Sequence, residues 1–220
     1  MQGIAACIFD LDGVIVDTAI YHFKAWKRLA NELGFNFTEA QNEKLKGVSR
    51  VRSLELILEW GGIEKSAAEQ HELATRKNEW YVDMVHHMTP EEILPGAKEL
   101  LESLRAAGIK TALGSASKNA RVILEKVDIL PLFDVVIDGN MVSASKPDPE
   151  VFLKGAAALG VSPEKCIVFE DAIAGVEAGK AGGMKVVGIG EQSVLNEADL
   201  VVGGLQEINI QTLTNLYNSK

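Results

Sequence analysis

Two apolar runs that each end in an acidic pair constrain this chain more than any other feature. Ile4-Ala5-Ala6-Cys7-Ile8 leads into Phe9-Asp10-Leu11-Asp12-Gly13, and Cys166-Ile167-Val168-Phe169 leads into Glu170-Asp171. Each run reads as a buried strand. Alternate residues of a strand share a face, so Asp10 and Asp12 can aim into one crevice at the strand's carboxyl end, where open α/β sheets place ligands. Gly13 permits a sharp turn immediately afterwards. Close carboxylates repel and need a cation, a shared proton, or distinct roles as nucleophile and acid/base. An isolated D-x-D-G is as readily a plain turn. The second acidic pair weighs against that and points to a Mg²⁺ site, because hard cations take oxygen ligands.

The pattern between and after these runs sets the architecture. From Thr18 to about Thr89 it is helical, with no convincing strand. Ala25, Trp26, Leu29, Ala30 and Leu33 share one face of a helix that Gly34 ends; Leu54, Ile57 and Leu58 mark a second, and a third is predicted over about 66–87. From Pro95 onward, strand and helix patterns alternate. Pro95 suits the first turn of a helix whose Leu100, Leu101 and Leu104 face the core and which Gly108 ends. Further strands are predicted at Ile109-Lys110-Thr111-Ala112-Leu113-Gly114, Val135-Val136-Ile137, Lys185-Val186-Val187-Gly188-Ile189 and Asp199-Leu200-Val201-Val202. The expected fold is α/β, a Rossmann-like parallel-sheet core (1–17 and 90–220) interrupted after its first strand by an all-helical insert (18–89). Residues 14–18 and 88–94 are the expected linkers and hinges.

Composition narrows the class. At 220 residues and 47% hydrophobic, the chain can bury a sizeable core. A net charge of −9 with no basic run argues against nucleic acid or an acidic membrane as partner. Cys7 and Cys166 each fall inside a presumed buried strand, which fits a reducing compartment and no disulfide framework. No apolar run approaches membrane-spanning length, so a cytoplasmic protein is expected.

Several other stretches carry candidate chemistry. His22 lies early in the first helix, near the Asp pair, though a lone helical histidine is commonly structural. Lys46-Gly47-Val48-Ser49-Arg50 combines glycine, a good N-cap, a helix start and two cations; it reads as an anion site or as a solvated basic turn. Arg76 and Lys77 sit on the third helix, where most cations are merely exposed. Ser115-Ala116-Ser117-Lys118-Asn119 is a hydroxyl-rich loop feeding a helix, suited to phosphate or to ordinary capping. Lys146-Pro147-Asp148-Pro149 holds a lysine in an extended loop, able to neutralise a phosphate or simply solvated. No P-loop or dinucleotide fingerprint is present.

Taken together, Asp10-Leu11-Asp12-Gly13-Val14-Ile15-Val16-Asp17-Thr18, Ser115 after a strand, Lys146-Pro147 and Glu170-Asp171 resemble the signature regions of the haloacid dehalogenase superfamily of phosphotransferases, in order and across the whole core. The insert resembles that superfamily's cap domain. His22-Phe23-Lys24-Ala25-Trp26, Leu45 through Arg50, Arg76-Lys77-Asn78 and the 115–119 loop resemble the β-phosphoglucomutase branch. One departure is Ala172, where serine is frequent; it is expected to alter local hydrogen bonding only.

The resemblance implies a set of roles. Asp10 is the nucleophile, and Asp12 is general acid and then base. Mg²⁺ is held by Asp10, the Asp12 backbone carbonyl, Glu170 and Asp171. Ser115, the Ala116 amide and Lys146 hold the transferring phosphate. His22, Trp26, Lys46, Gly47, Val48, Arg50, Lys77, Ser117, Lys118 and Asn119 bind the distal phosphate and sugar, and Thr18 is the hinge. The implied reaction interconverts β-D-glucose 1-phosphate and glucose 6-phosphate, with β-glucose 1,6-bisphosphate as phosphoryl donor and intermediate. The implied partners are small sugar phosphates, met by a monomer. A sugar-phosphate phosphatase shares every core residue and is the alternative.

Overall fold

The computed structural model describes residues 3–45 and 48–219. Strands β1 (Ala6–Phe9), β2 (Lys110–Gly114), β3 (Val135–Ile137), β4 (Cys166–Glu170), β5 (Lys185–Ile189) and β6 (Leu200–Val202) form one sheet in the order β3-β2-β1-β4-β5-β6. Every pairing is parallel. β1 and β4 are buried along their whole length, as expected of central parallel strands covered on both faces.

The insert between β1 and β2 supplies α1 (Ala19–Glu32), α2 (Glu39–Glu43), α3 (Arg50–Gly61) and α4 (Ala67–Val85). The core helices are α5 (Ala97–Ala106), α6 (Ala120–Lys126), α7 (Glu150–Leu159), α8 (Ile173–Ala181) and α9 (Ile210–Asn218). The strands' two-residue period divides the core. Cys7, Phe9, Leu113, Phe169 and Val187 pack with α5, α6 and α9 on one face; Ala6, Ile8, Ala112, Val168 and Val186 pack with α7 and α8 on the other. Cys7 and Cys166 therefore lie on opposite faces, both buried as free thiols.

The helical insert has an apolar centre of its own, built from Trp26, Leu29, Phe37, Leu54, Ile57 and Leu73 among others. Its foot does not stand apart from the sheet, because Ala25, Tyr81, Val85 and Met88 join the first core face. The two connecting segments run side by side. Val16 bridges Ile93 in antiparallel fashion, and the Leu94 amide donates to the Ile15 carbonyl at 2.9 Å. No described helix is long and apolar enough to cross a membrane.

The structure corrects two local expectations and adds one element. Pro95 does not begin a helix; Gly96 takes the N-cap position and α5 starts at Ala97. The short helix α2 was not visible as a period, since its five residues are mostly polar; Thr38 and Gln41 form it by a reciprocal capping box. Lys77 is not a solvated helix cation but is 1% exposed.

Candidate active site

The sheet order places a switch point between β1 and β4, because the chain moves outward from β1 through β2 and β3 and then crosses back to β4. Ligand crevices in open α/β sheets lie at such points. Phe9 is in register with Leu113 on one side and Phe169 on the other, and the Phe9 and Phe169 rings stack at 4.4 Å. The next residues outward are Asp10, Gly114-Ser115 and Glu170, so three adjacent strand ends deliver their polar groups to one place. The Asp10 amide donates to the Phe169 carbonyl at 2.9 Å, which carries the β1–β4 pairing right up to the acidic residue.

Two glycines make room for the carboxylates. A Cβ on Gly13, which adopts a φ of 74°, would lie 2.2 Å from Asp171 Oδ2. A Cβ on Gly175, in α8, would lie 1.9 Å from the Glu170 carboxyl carbon. Neither close approach tolerates a side chain. The Ala172 amide donates to Glu170 Oε2 at 2.9 Å, so this hydrogen bond needs no side chain at position 172.

Lys146 bridges Asp10 and Glu170, its ammonium hydrogen-bonded to both carboxylates. The lysine side chain is 2% exposed and the two acids 10% and 1%. Burial works against the ammonium, yet the Asp10 and Glu170 charges outweigh it and hold the lysine's pKa above its ordinary value. Burial pushes Glu170 the other way for an acid, upward, with Lys146 opposing. Asp10, Glu170 and Asp171 can each offer a carboxylate oxygen within 4.8 Å of the others. Three such oxygens suit a hard divalent cation.

Asp12 sits differently. Its amide donates to Asp10 Oδ2 at 3.0 Å, tying the two residues together through the backbone. Burial, and then the adjacent Asp10 charge, push its carboxyl up to about 7. A group titrating near neutrality can give a proton in one step and take it in the next. The Thr18 hydroxyl donates to Asp12 Oδ1. Thr18 is the N-cap residue of α1, but its side chain makes no capping bond. A threonine cap is typically worth about 1 kcal/mol, so the hydroxyl is diverted from a favourable local partner.

Beside this pair lies a cluster of basic side chains from the insert. Lys77 Nζ and His22 Nδ1 are 2.8 Å apart. The ammonium stands over the Trp26 ring at 4.2 Å and the Tyr81 ring at 5.0 Å, and His22 stacks on Tyr81 at 4.1 Å. Among the described residues no carboxylate lies within ion-pair distance of Lys77 or Arg50. Burial first, and then the positive Arg50, push Lys77 well below its ordinary pKa; burial and then Lys77 do the same to His22. Arg50, the first residue of α3, is itself lowered by burial.

The other expected residues fall around these two clusters. Ser115 is buried after β2, and its Oγ accepts from the Ser117 amide at 3.1 Å. Ala116 and Ser117 are half-buried and Lys118 is exposed in the same loop. Asn119 Nδ2 donates to Asn78 Oδ1 at 3.0 Å, joining the core loop to α4. Trp26 lies beneath Lys77 and is 2% exposed. Val48 is half-buried before α3, with Ser49 capping the helix. Lys46 and Gly47 lie outside the described residues. Tyr81 was not picked out from sequence, and Asn78 entered only within the Arg76-Lys77-Asn78 resemblance. For Tyr81 the available signal was its spacing of four residues from Lys77, since i and i+4 share a helix face.

A family model for haloacid dehalogenase-like hydrolases matches residues 4–183. The chain is 45% identical over 210 residues to the β-phosphoglucomutase of Bacillus subtilis, a match covering 94% of this chain and 93% of that one. It is 31% identical over 214 residues to a phosphorylated carbohydrates phosphatase of Thermotoga maritima, covering 96% and 97% of the two chains. It superposes on the crystal structure of a Clostridium difficile β-phosphoglucomutase with a TM-score of 0.94 and 41% identity, over 98% and 97% of the two chains. On matches of that extent, and on the strand-end site they frame, this chain belongs to the haloacid dehalogenase-like hydrolase family.

Proposed function

We propose that the protein is a β-phosphoglucomutase, interconverting β-D-glucose 1-phosphate and glucose 6-phosphate through β-glucose 1,6-bisphosphate. The observation that carries this reading is the pairing of two unlike half-sites. A carboxylate crevice bridged by Lys146 adjoins a cluster of basic side chains in which, among the described residues, neither the buried Lys77 nor the half-buried Arg50 has a carboxylate within ion-pair distance. A phosphatase needs only the first. An enzyme whose intermediate bears two phosphates needs a second anion site as well. The naming of the Bacillus subtilis and Clostridium difficile relatives agrees with this.

In the proposed mechanism Asp10 attacks phosphorus. The P–O bond to the sugar breaks, and Asp12 gives its proton to the departing oxygen. In the second half, Asp12 takes the proton from the attacking sugar hydroxyl as the phosphoryl group leaves Asp10. Two carboxylates are needed because one must be ionised while the other is protonated. A phosphate dianion meeting a carboxylate is opposed by about 4 kcal/mol per unit-charge pair at 4 Å and an effective dielectric near 20. Lys146 offsets this from the Asp10 side. Asp10, the Asp12 carbonyl, Glu170 and Asp171 would hold Mg²⁺, which when bound supplies further neutralisation of the transferring group. Ser115 and the Ala116 amide would take phosphate oxygens.

Arg50, Lys77, Ser117, Lys118 and Asn119 would grip the phosphate that is not reacting, with Lys46, Gly47 and Val48 beside it. Residues 18–89 form the cap in this reading, with 1–17 and 90–220 as the catalytic core and Thr18 at the hinge. Closure would exclude water from the phosphoaspartate, which must survive until a sugar hydroxyl replaces the first one.

The test is to supply β-glucose 1-phosphate with Mg²⁺ and a trace of the bisphosphate, following glucose 6-phosphate and free phosphate together. Glucose 6-phosphate rising with little free phosphate is expected. Free phosphate rising without glucose 6-phosphate would make the protein a phosphatase, like its Thermotoga maritima relative.

A further inference from the structure

We propose that Tyr81 is a positioning residue for the proton-transfer step, acting on Asp12 through Thr18. The Tyr81 hydroxyl donates to Thr18 Oγ1 at 3.2 Å, and Thr18 Oγ1 donates to Asp12 Oδ1. A hydroxyl has one proton to give. With its own proton on Asp12, Thr18 can only accept from Tyr81, so the two bonds run in one direction, from phenol to hydroxyl to carboxylate.

The position of Thr18 makes this more than a chance contact. As the N-cap of α1 its hydroxyl would ordinarily accept from an amide of the first helical turn, and it does not. Instead it accepts from Tyr81. Thr18 and Tyr81 are both 0% exposed, so bulk solvent reaches neither residue. Burial also keeps the phenol's pKa well above its usual range, so that it stays a donor. The ring is held independently, by stacking on His22 and by packing among the apolar residues at the foot of the insert.

Without the phenol oxygen, the Thr18 hydroxyl is released to cap α1 and Oδ1 of Asp12 loses its donor. The carboxyl then rotates away from the one orientation that leaves Oδ2 to exchange a proton with the sugar. Ser117 of the core loop also interacts with the phenol through its side chain. Tyr81 thereby links the loop beside the crevice to the acid that serves the reaction.

This inference rests on the reading of Asp12 as general acid and base, and the experiment separates the two. Tyr81→Phe keeps the ring and removes one oxygen. Sugar-phosphate conversion is measured beside Asp10 phosphorylation by acetyl phosphate. In that second reaction the P–O bond breaks with its electron pair leaving on acetate, a weak base that needs no proton. Y81F is expected to lower kcat for conversion about tenfold, a fraction of the roughly 10²–10⁴ that general acid–base catalysis contributes, with KM and the acetyl phosphate rate within about twofold. In a Thr18→Val background Y81F is expected to add no further loss, because the route to Asp12 is already cut.

Unchanged conversion in Y81F, equal losses in both reactions, or multiplicative losses with T18V would each overturn the proposal. Asp12→Asn is the control. If it leaves conversion intact, the acid assignment itself fails. If it removes conversion while Y81F is silent, only the role of Tyr81 fails. Should Y81F not fold, Thr18→Val set against Thr18→Ser asks the same question of the receiving hydroxyl: loss in the first and retention in the second are expected, and equal behaviour would overturn it.

Discussion

The core crevice and the insert's pocket both bury lysines, and they treat them in opposite ways. Lys146 is clamped between Asp10 and Glu170, and the two carboxylates more than compensate for its burial. Lys77 is as deeply buried, but its neighbours are an imidazole nitrogen and two aromatic rings, and burial dominates. In the first arrangement the lysine is paired within the protein. In the second, no described carboxylate pairs it. In the proposed function this contrast suits a ligand with one phosphate to react and one to be held.

The largest effect should come from the core crevice. Asp10→Asn is expected to abolish both conversion and phosphoenzyme, read by phosphorylating the protein with acetyl phosphate; normal turnover would remove Asp10 as nucleophile. Next, Lys146→Met leaves two buried carboxylates without their cation. It should cost about 3–5 kcal/mol of folding stability in urea titrations, besides activity. Lys77→Met should do the reverse for stability. Replacing a buried lysine that has no carboxylate partner among the described residues by an apolar side chain of similar length should stabilise the free protein by about 1 kcal/mol or more while weakening bisphosphate binding. Equal destabilisation in both variants would break the comparison.

The smallest effect belongs to the solvated start of α4. There the Glu69 carboxylate accepts from the half-buried Lys65 at 2.9 Å and from Ser66. These bonds lower its pKa to about 2. A group depressed on folding adds stability that is present above its unfolded pKa, near 4.3, and lost as pH falls towards the folded value. Glu69→Gln should therefore lower Tm slightly at pH 7, and the difference should shrink between about pH 4.3 and 2. A gap that is independent of pH would mean that the carboxylate's charge contributes nothing.

The core crevice was the legible half. Strands β1 and β4 announce themselves by continuous apolar runs, and acidic residues at their ends have few uses other than chemistry. Ser115 and Lys146 follow once the strand ends are known to be neighbours. The insert's pocket was not legible from periodicity. Lys77 lies on the same helix as exposed charges, and only packing shows that it is turned inward onto Trp26 and Tyr81. Tyr81 reads as one more apolar residue on a core face, which it also is. Its hydroxyl matters because Thr18 lies 63 residues earlier in sequence and 3.2 Å away in space. Such contacts are set by tertiary packing, which the local pattern does not encode.

The most direct test of the two-half account is calorimetric titration with β-glucose 1,6-bisphosphate and with β-glucose 1-phosphate, in Asp10→Asn protein so that neither ligand reacts, with and without Arg50→Ala. The account predicts that the second phosphate adds at least about 100-fold in affinity, some 2.7 kcal/mol, and that R50A removes most of that gain while leaving monophosphate binding nearly unchanged. Equal affinities for the two ligands, or a loss in R50A that is the same for both, would contradict it.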